Sequence, residues 1–341
     1  MKAISFMIMA MLTLAVAAEK IPPEILKAMS KDKTRGYGEM YGAKAKECFY
    51  VVDQDGKQVK DARIRGAFWT GGGINDYEPV DGLTNTNGEY VAEGKSKYKL
   101  RYTVSKDGYY STNGEVLYVG TWSVPAVKDG KWQPYGTQRK IVLKQIKNPL
   151  NCGRVCGLKD FKVPVFDKWI GFDFDRHEFI PPYGSGSYAD ALLRFVLYRP
   201  SKKEYHMKME VSFTNQPYAG AYAVKKDKFS ELQSVYKANT NADYKSMFVY
   251  SYDRFPDKRP IVNKLSKDEY LVFRTRTKVD TDGNLISARY GVLYGEWSFV
   301  GPRGMNIPFV IFNPTPNDVN LESSYDRCSR IHIPETDFSF R

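Results

Sequence analysis

Residues 170–198, IGFDFDRHEFIPPYGSGSYADALLRFVLY, combine a crowd of ionisable side chains, a Pro-Pro break, a Gly/Ser loop and a long apolar run. Ile170–Phe174 alternates apolar and polar residues, the period of a strand. Pro181-Pro182-Tyr183-Gly184-Ser185-Gly186-Ser187 cannot extend it, because proline lacks the ladder N–H and glycine relaxes the backbone. Ala189–Tyr198 then reads as a buried strand. Strand, long loop, strand is the pattern of a turn-rich β fold, and the rest of the chain repeats it. Asp173, Asp175, His177, Glu178 and Asp190 lie in or beside this unit, with Tyr183 and Ser185 in its loop. They make either an acid/base, cation or sugar site or a charged strand edge with a long β-loop.

The wider composition agrees. The 341 residues include 25 Tyr, 19 Phe and 27 Gly, a mixture that suits strands and turns. The length suggests two domains. The formal charge of +12 is compatible with an anionic surface or glycan. The basic residues are spread out, and the tightest clusters are pairs such as Lys202-Lys203 and Lys225-Lys226.

Residues 1–18 read as a secretory signal peptide: Lys2, an apolar Ala3–Leu14, and small residues at Ala15-Val16-Ala17-Ala18. The run is shorter than the roughly 20 residues of a spanning helix, so the expectation is a secreted or periplasmic protein with no transmembrane segment in the mature chain. Export makes nucleic acid the least fitting partner. It also makes Cys48, Cys152, Cys156 and Cys328 disulfide candidates rather than a metal site. The absence of an Asn-x-Ser/Thr sequon with x other than Pro favours a bacterial source.

Residues 19–45 read as a short helix and linker. Residues 46–147 form the first domain, with strands near 49–52, 59–68, 84–91, 98–105 and 138–144. Asp53-Gln54-Asp55-Gly56 is expected to close a hairpin, and 70–81 to be a loop. Asp53–Gly56 and Asp280–Asn284 lack the terminal Glu of a calcium loop and read as turns. Asn148–Arg341 repeats the strand-rich pattern, with 225–244 as a short amphipathic helix or structured loop. The expected fold is therefore all-β: two consecutive β-sandwich domains, 46–147 and 148–341, with a jelly-roll-like variant open for the second.

The order D-x-D-G-K-x-V, T-N-x-N-G-E-Y and Y-x-L-x-Y-x-V-x-K-D-G-Y-Y, with Thr84, Gly88, Tyr90, Lys106, Gly108 and Tyr109 at its fixed points, resembles the carboxypeptidase regulatory-like, transthyretin-like sandwich domain. That resemblance implies an accessory, non-catalytic sandwich of about 100 residues. The phrases around 171–190, 274–291 and 312–322 are similar to segments of uncharacterised exported bacterial proteins, a group with no activity attached.

The motifs weigh against an enzyme. No G-x-S-x-G elbow or H-E-x-x-H is present. A carboxylate-dependent glycoside hydrolase would need a pair such as Asp173, Asp175 or Glu178 with Asp318 or Glu322. Asn317 and Asp318 join the ligand candidates, although Asx-turns explain them as well. The sequence points to an accessory protein that binds glycan or an anionic envelope component, and implies no cofactor or metal. A structural or protein-interaction module of the bacterial surface is the alternative, and a hydrolase the second.

Overall fold

The computed structural model describes residues 42–71, 76–118, 127–150, 160–295, 297–300 and 304–323. Every regular element among them is a strand, as the composition and turn spacing require. The expected signal peptide, residues 19–41, and Cys152, Cys156 and Cys328 lie outside the described residues. Cys48 is a free, half-buried thiol, so its expected disulfide is absent among the described residues.

In chain order the strands are β1 (Ala43–Asp53), β2 (Arg63–Trp69), β3 (Tyr77–Leu83), β4 (Glu89–Ser96), β5 (Lys99–Ser105), β6 (Tyr109–Tyr110), β7 (Thr112–Leu117), β8 (Val127–Lys128), β9 (Lys131–Trp132) and β10 (Thr137–Gln145). There follow β11 (Asp160–Lys162), β12 (Trp169–Asp173), β13 (Glu178–Phe179), β14 (Ala191–Tyr198), β15 (Tyr205–Ser212), β16 (Gly220–Lys225) and β17 (Met247–Arg254). The last are β18 (Ile261–Asn263), β19 (Glu269–Val279), β20 (Leu285–Tyr294), β21 (Ser298–Val300), β22 (Gly304–Asn306) and β23 (Phe309–Phe312). The chain divides into two compact units. One comprises residues up to Asp107 with Thr112–Leu143, and the other Gly108–Ser111 with everything from Lys144 onward.

In unit 1, β1 is the hub of one sheet. It runs parallel to β10 and antiparallel to β4. The second sheet has the order β3-β2-β5-β7. Phe49 from the first sheet meets Tyr102 from the second edge-on at 4.8 Å, and Val51, Ile64, Phe68, Leu100, Val104 and Leu143 are buried. Tyr102 sits in a cross-strand row between Gly66 and Gly114. A β-carbon at Gly114 would collide with the Tyr102 ring, so this row admits a large aromatic only because its neighbour has no side chain.

Three expectations are corrected here. β1 begins at Ala43, inside the expected linker. The 70–81 loop ends in β3, an edge strand that holds Pro79 where no ladder N–H is needed. Asp53–Gly56 is a tight turn, with Asp53 Oδ1 accepting the N–H groups of Asp55 and Lys57. It does not close a hairpin between β1 and β2, because these strands belong to different sheets.

The residues quoted for the sandwich resemblance have local work. Thr84 is buried; its hydroxyl donates to Val59 O at 2.7 Å and accepts from Ala62 N at 2.9 Å. Gly88 adopts φ +75°, open to glycine at no steric cost.

Unit 2 holds a six-stranded sheet, β13-β12-β14-β15-β17-β18, and a four-stranded sheet, β16-β19-β20-β23. The alternation along β14 and β15 turns Leu193, Phe195, Met207, Met209 and Val211 inward. Of these, Leu193, Phe195, Met209 and Val211 share one core with Phe172, Phe174, Leu271, Phe273 and Val310. The opposite face of the four-stranded sheet carries Tyr270, Val272, Tyr290, Val292 and Ile311, and this face is covered too. Residues 226–246 cover it as a structured loop, not a helix, stitched by Ala238 N to Val319 O and Leu321 N to Tyr236 O, both 2.8 Å. Burial on both faces explains the unbroken apolar stretches 270–273 of β19 and 290–294 of β20.

Phe273 is fully buried, 4.7 Å from the Phe174 ring. Phe273→Ala is expected to lower stability by about 3–5 kcal/mol in urea unfolding followed by fluorescence. Val249→Ala, on the exposed face of β17, is expected to change it by less than about 0.5 kcal/mol.

Candidate functional site

Two constellations in unit 2 follow from its strand ladder. The first is the charge crowd of 173–190, which the fold turns inward. Asp173 ends β12 and Asp190 precedes β14, so the loop between them starts and finishes on adjacent strands. Arg276 comes from β19 in the other sheet, at a bulge after Thr275 and with φ +50°. A bulge re-aims a side chain that regular pairing would point elsewhere.

The Arg276 guanidinium bridges both carboxylates. Nε donates to Asp190 Oδ1 at 2.9 Å; Nη2 donates to Asp190 Oδ2 at 3.1 Å and to Asp173 Oδ1 at 3.2 Å. The rings of Tyr188 and Phe312 lie 5.0 and 4.6 Å from its centre, a favourable place for a weakly hydrated cation. Asp173 Oδ2 also accepts from Ser187 N at 2.8 Å and Tyr188 N at 3.1 Å, and Oδ1 from Asp175 N and Arg176 N. Asp190 accepts from Phe174 N and the Thr275 hydroxyl.

Both carboxylates are fully buried and have donors on both oxygens, so they clasp the loop and do not face a cleft. Burial pushes the Asp173 carboxyl up, but the Ser187, Arg176 and Tyr188 N–H groups and the Arg276 charge together hold it below the ordinary aspartate value. For Asp190 burial dominates over the Arg276 bonds, and its carboxyl lies above that value.

The other expected site residues scatter. His177 is buried, its ring packed edge-on against Phe161 and Phe172, with Nε2 3.2 Å from Pro308 O. It is a core histidine, where a ligand-contacting one was expected. Glu178 pairs with Asp173 in the β12–β13 ladder. Asp175, Tyr183 and Ser185 are exposed on the loop, with Ser185 O accepting from Arg176.

Asn317 and Asp318 belong to a different network. Asn317 Oδ1 accepts from Ala288 N, while Asp318 accepts from Asn320 N and from the buried Asn313 amide. Glu322, also buried, accepts from Tyr110 OH at 3.0 Å, Lys147 N at 2.7 Å and Asn148 N at 2.6 Å. These groups tie strands and turns together. The carboxylate pairing expected of a hydrolase is not what they make.

The second constellation is the outer face of the six-stranded sheet, which sequence reasoning missed. Trp169 of β12 stands opposite Arg194 of β14, which pairs with Glu210 of β15 and then Val249 of β17. Trp169 is 41% exposed, and the Arg194 guanidinium lies 5.2 Å from its ring. Arg194 Nε donates to Glu210 at 2.6 Å, and Lys208 Nζ lies 2.8 Å from the other oxygen. The Arg194 hydrogen bond, helped by Lys208 and opposed by burial, holds the Glu210 carboxyl below its ordinary range.

Further along, a second row joins Tyr198, His206, Asp253 and Ile261. Tyr198 is 64% exposed and stacks on His206, whose Nδ1 lies 3.0 Å from Asp253. The alternation of 191–198 and 205–212 carries the signal that Arg194, Tyr198, His206, Lys208 and Glu210 share a face. What it lacks is the cross-strand register that brings Trp169 to them.

No family model and no curated protein matches the chain, so the carboxypeptidase regulatory-like resemblance gains nothing from either comparison. Among solved structures, a 3-chlorocatechol 1,2-dioxygenase from Rhodococcus opacus aligns at 15% identity over 31% of this chain and 61% of its own, with a TM-score of 0.25. A DUF3823 family protein from Parabacteroides merdae aligns at 12% identity over 79% of this chain and 98% of its own, with a TM-score of 0.20. A streptococcal ancillary pilin aligns at 12% identity over 66% of this chain and 60% of its own, with a TM-score of 0.21. The chain thus spans less than two thirds of the dioxygenase it matches. At these scores neither fold nor function follows from the likenesses.

Arg276→Met would leave two buried carboxylates without their cation, and is expected to destabilise the protein by about 3–5 kcal/mol in urea unfolding. Because Asp173 titrates below its unfolded value, its contribution is complete above that value of 3.8 and is lost as pH falls through the lower folded one. Stability measured from pH 6 downward is expected to drop on this acid limb, and Asp173→Asn to flatten it.

Proposed function

We propose that the protein is an exported, non-catalytic accessory protein that binds glycan on the outer face of the six-stranded sheet of unit 2. The observation that carries this reading is the exposure of Trp169 and Tyr198 beside a hydrogen-bonded charge row of Arg194, Glu210 and Lys208. A pyranose presents an apolar C–H face and a rim of hydroxyls. An exposed indole suits the first, and a fixed array of donors and acceptors suits the second.

The charge row is already assembled. Glu210 holds Arg194 over Trp169, so little ordering is left for the ligand to impose. Trp169 and Tyr198 lie four residues apart along β14 register, about 13 Å at ~3.3 Å per residue. That spacing suits an oligosaccharide better than a single sugar. The buried Asp173–Arg276–Asp190 clasp supports the non-catalytic part, since it engages the densest carboxylates of the chain in holding a loop.

A second reading, a protein-interaction module, is favoured by β18. This three-residue edge strand exposes Ile261 at 60% and Val262 at 45%, an open template for another strand.

Trp169→Ala is expected to weaken binding to a retained polysaccharide by at least about tenfold, or ~1.4 kcal/mol, in affinity electrophoresis against a polysaccharide panel, with the unfolding midpoint unchanged within about 2 °C. Equal retention of Trp169→Ala and the unsubstituted protein would remove this face from the account. Release of reducing sugar would remove the non-catalytic part.

A further inference from the structure

The same ladder places two hairpin turns at one end of this face. The row Tyr198–His206–Asp253–Ile261 closes it, and beyond lie residues 199–204, joining β14 to β15, and 255–260, joining β17 to β18. With Arg254 they carry six cations, Arg199, Lys202, Lys203, Arg254, Lys258 and Arg259, against two carboxylates, Glu204 and Asp257. All six cations are exposed. In the charge row two cations, Arg194 and Lys208, share the single carboxylate of Glu210. The platform therefore carries one net positive charge in this row and a larger excess at the hairpin end.

Resting on the glycan reading above, we infer that the ligand is an anionic polysaccharide. Its sugar rings lie along the Trp169–Tyr198 face, and its acidic groups meet the 199–204 and 254–260 hairpin ends. Charge complementarity carries the inference. A neutral glycan would have no use for a cationic rim beside Tyr198, whereas carboxylates on successive rings would find guanidinium forks and ammonium groups there. Exposed cations on turns attract at long range and are screened by salt, so they add to association and to salt dependence more than to a fixed pose. The aromatic face supplies the pose.

The test uses the full chain with alginate, hyaluronate and polygalacturonate, each beside its methyl ester, and a panel of neutral polysaccharides. Expected is binding of at least one acidic polymer, weakened at least about tenfold by esterification and by raising NaCl from about 0.05 to 0.5 M. The variant K202Q/K203Q/K258Q/R259Q is expected to reproduce the loss, and Trp169→Ala to reduce binding at both salt levels.

Equal binding of acid and ester, with the four-site variant unimpaired, overturns the inference and leaves the glycan reading standing. Failure of every acidic, esterified and neutral polymer to bind overturns both. Salt-sensitive binding that ignores Trp169→Ala, and that single-stranded DNA of similar charge density matches, shows attraction to any polyanion and also overturns the inference.

Discussion

One largely buried cation holds unit 2 in order. Arg276, raised from β19 on a bulge, reaches Asp173 at the end of β12 and Asp190 at the start of β14. Two strands of one sheet are thereby fixed to the middle of the other. Neither carboxylate could stay buried and charged without it, and the cation itself would be costly between Tyr188 and Phe312 without them. Loop 174–190 is folded onto this clasp through the N–H groups of Phe174, Asp175, Arg176, Ser187 and Tyr188. With the loop closed, β12 pairs with β14 in the register that sets Trp169 against Arg194. The binding face proposed above thus shares strands β12 and β14 with this clasp.

The β character of the chain was plain from its composition and turns, and 189–198 was legible as a strand. Pairing was less legible. Asp53–Gly56 has the chemistry of a hairpin turn and makes a tight turn, yet β1 and β2 part into different sheets, because β1 is taken by β4 and β10. Local chemistry specifies the bend and not the partner. β3 escaped notice because a one-sided edge strand buries only Val80 and tolerates Pro79. The 225–244 segment has helical spacing in places, but its apolar residues cover a sheet face as an extended loop.

The site was legible in parts. The crowd at 173–190 drew attention for sound reasons, and Asp173 and Asp190 do meet. Their role inverted once Arg276, about 90 residues away in sequence, supplied the counter-charge; no local pattern announces that encounter. His177 illustrates the same limit, since a histidine beside an acidic stretch resembles a ligand until its ring is seen among Phe161 and Phe172. Trp169 could be named from sequence but not placed, because its neighbours Arg194 and Glu210 arrive through strand register.

The most direct test of the central claim is hydroxyl-radical footprinting by mass spectrometry, with and without a bound polysaccharide. The account predicts protection of Trp169 and Tyr198, with exposed Tyr77 and Leu117 of unit 1 unchanged. Protection confined to Tyr183 and Tyr188 of the clasped loop, or to unit 1, with Trp169 and Tyr198 oxidised as before, would contradict it.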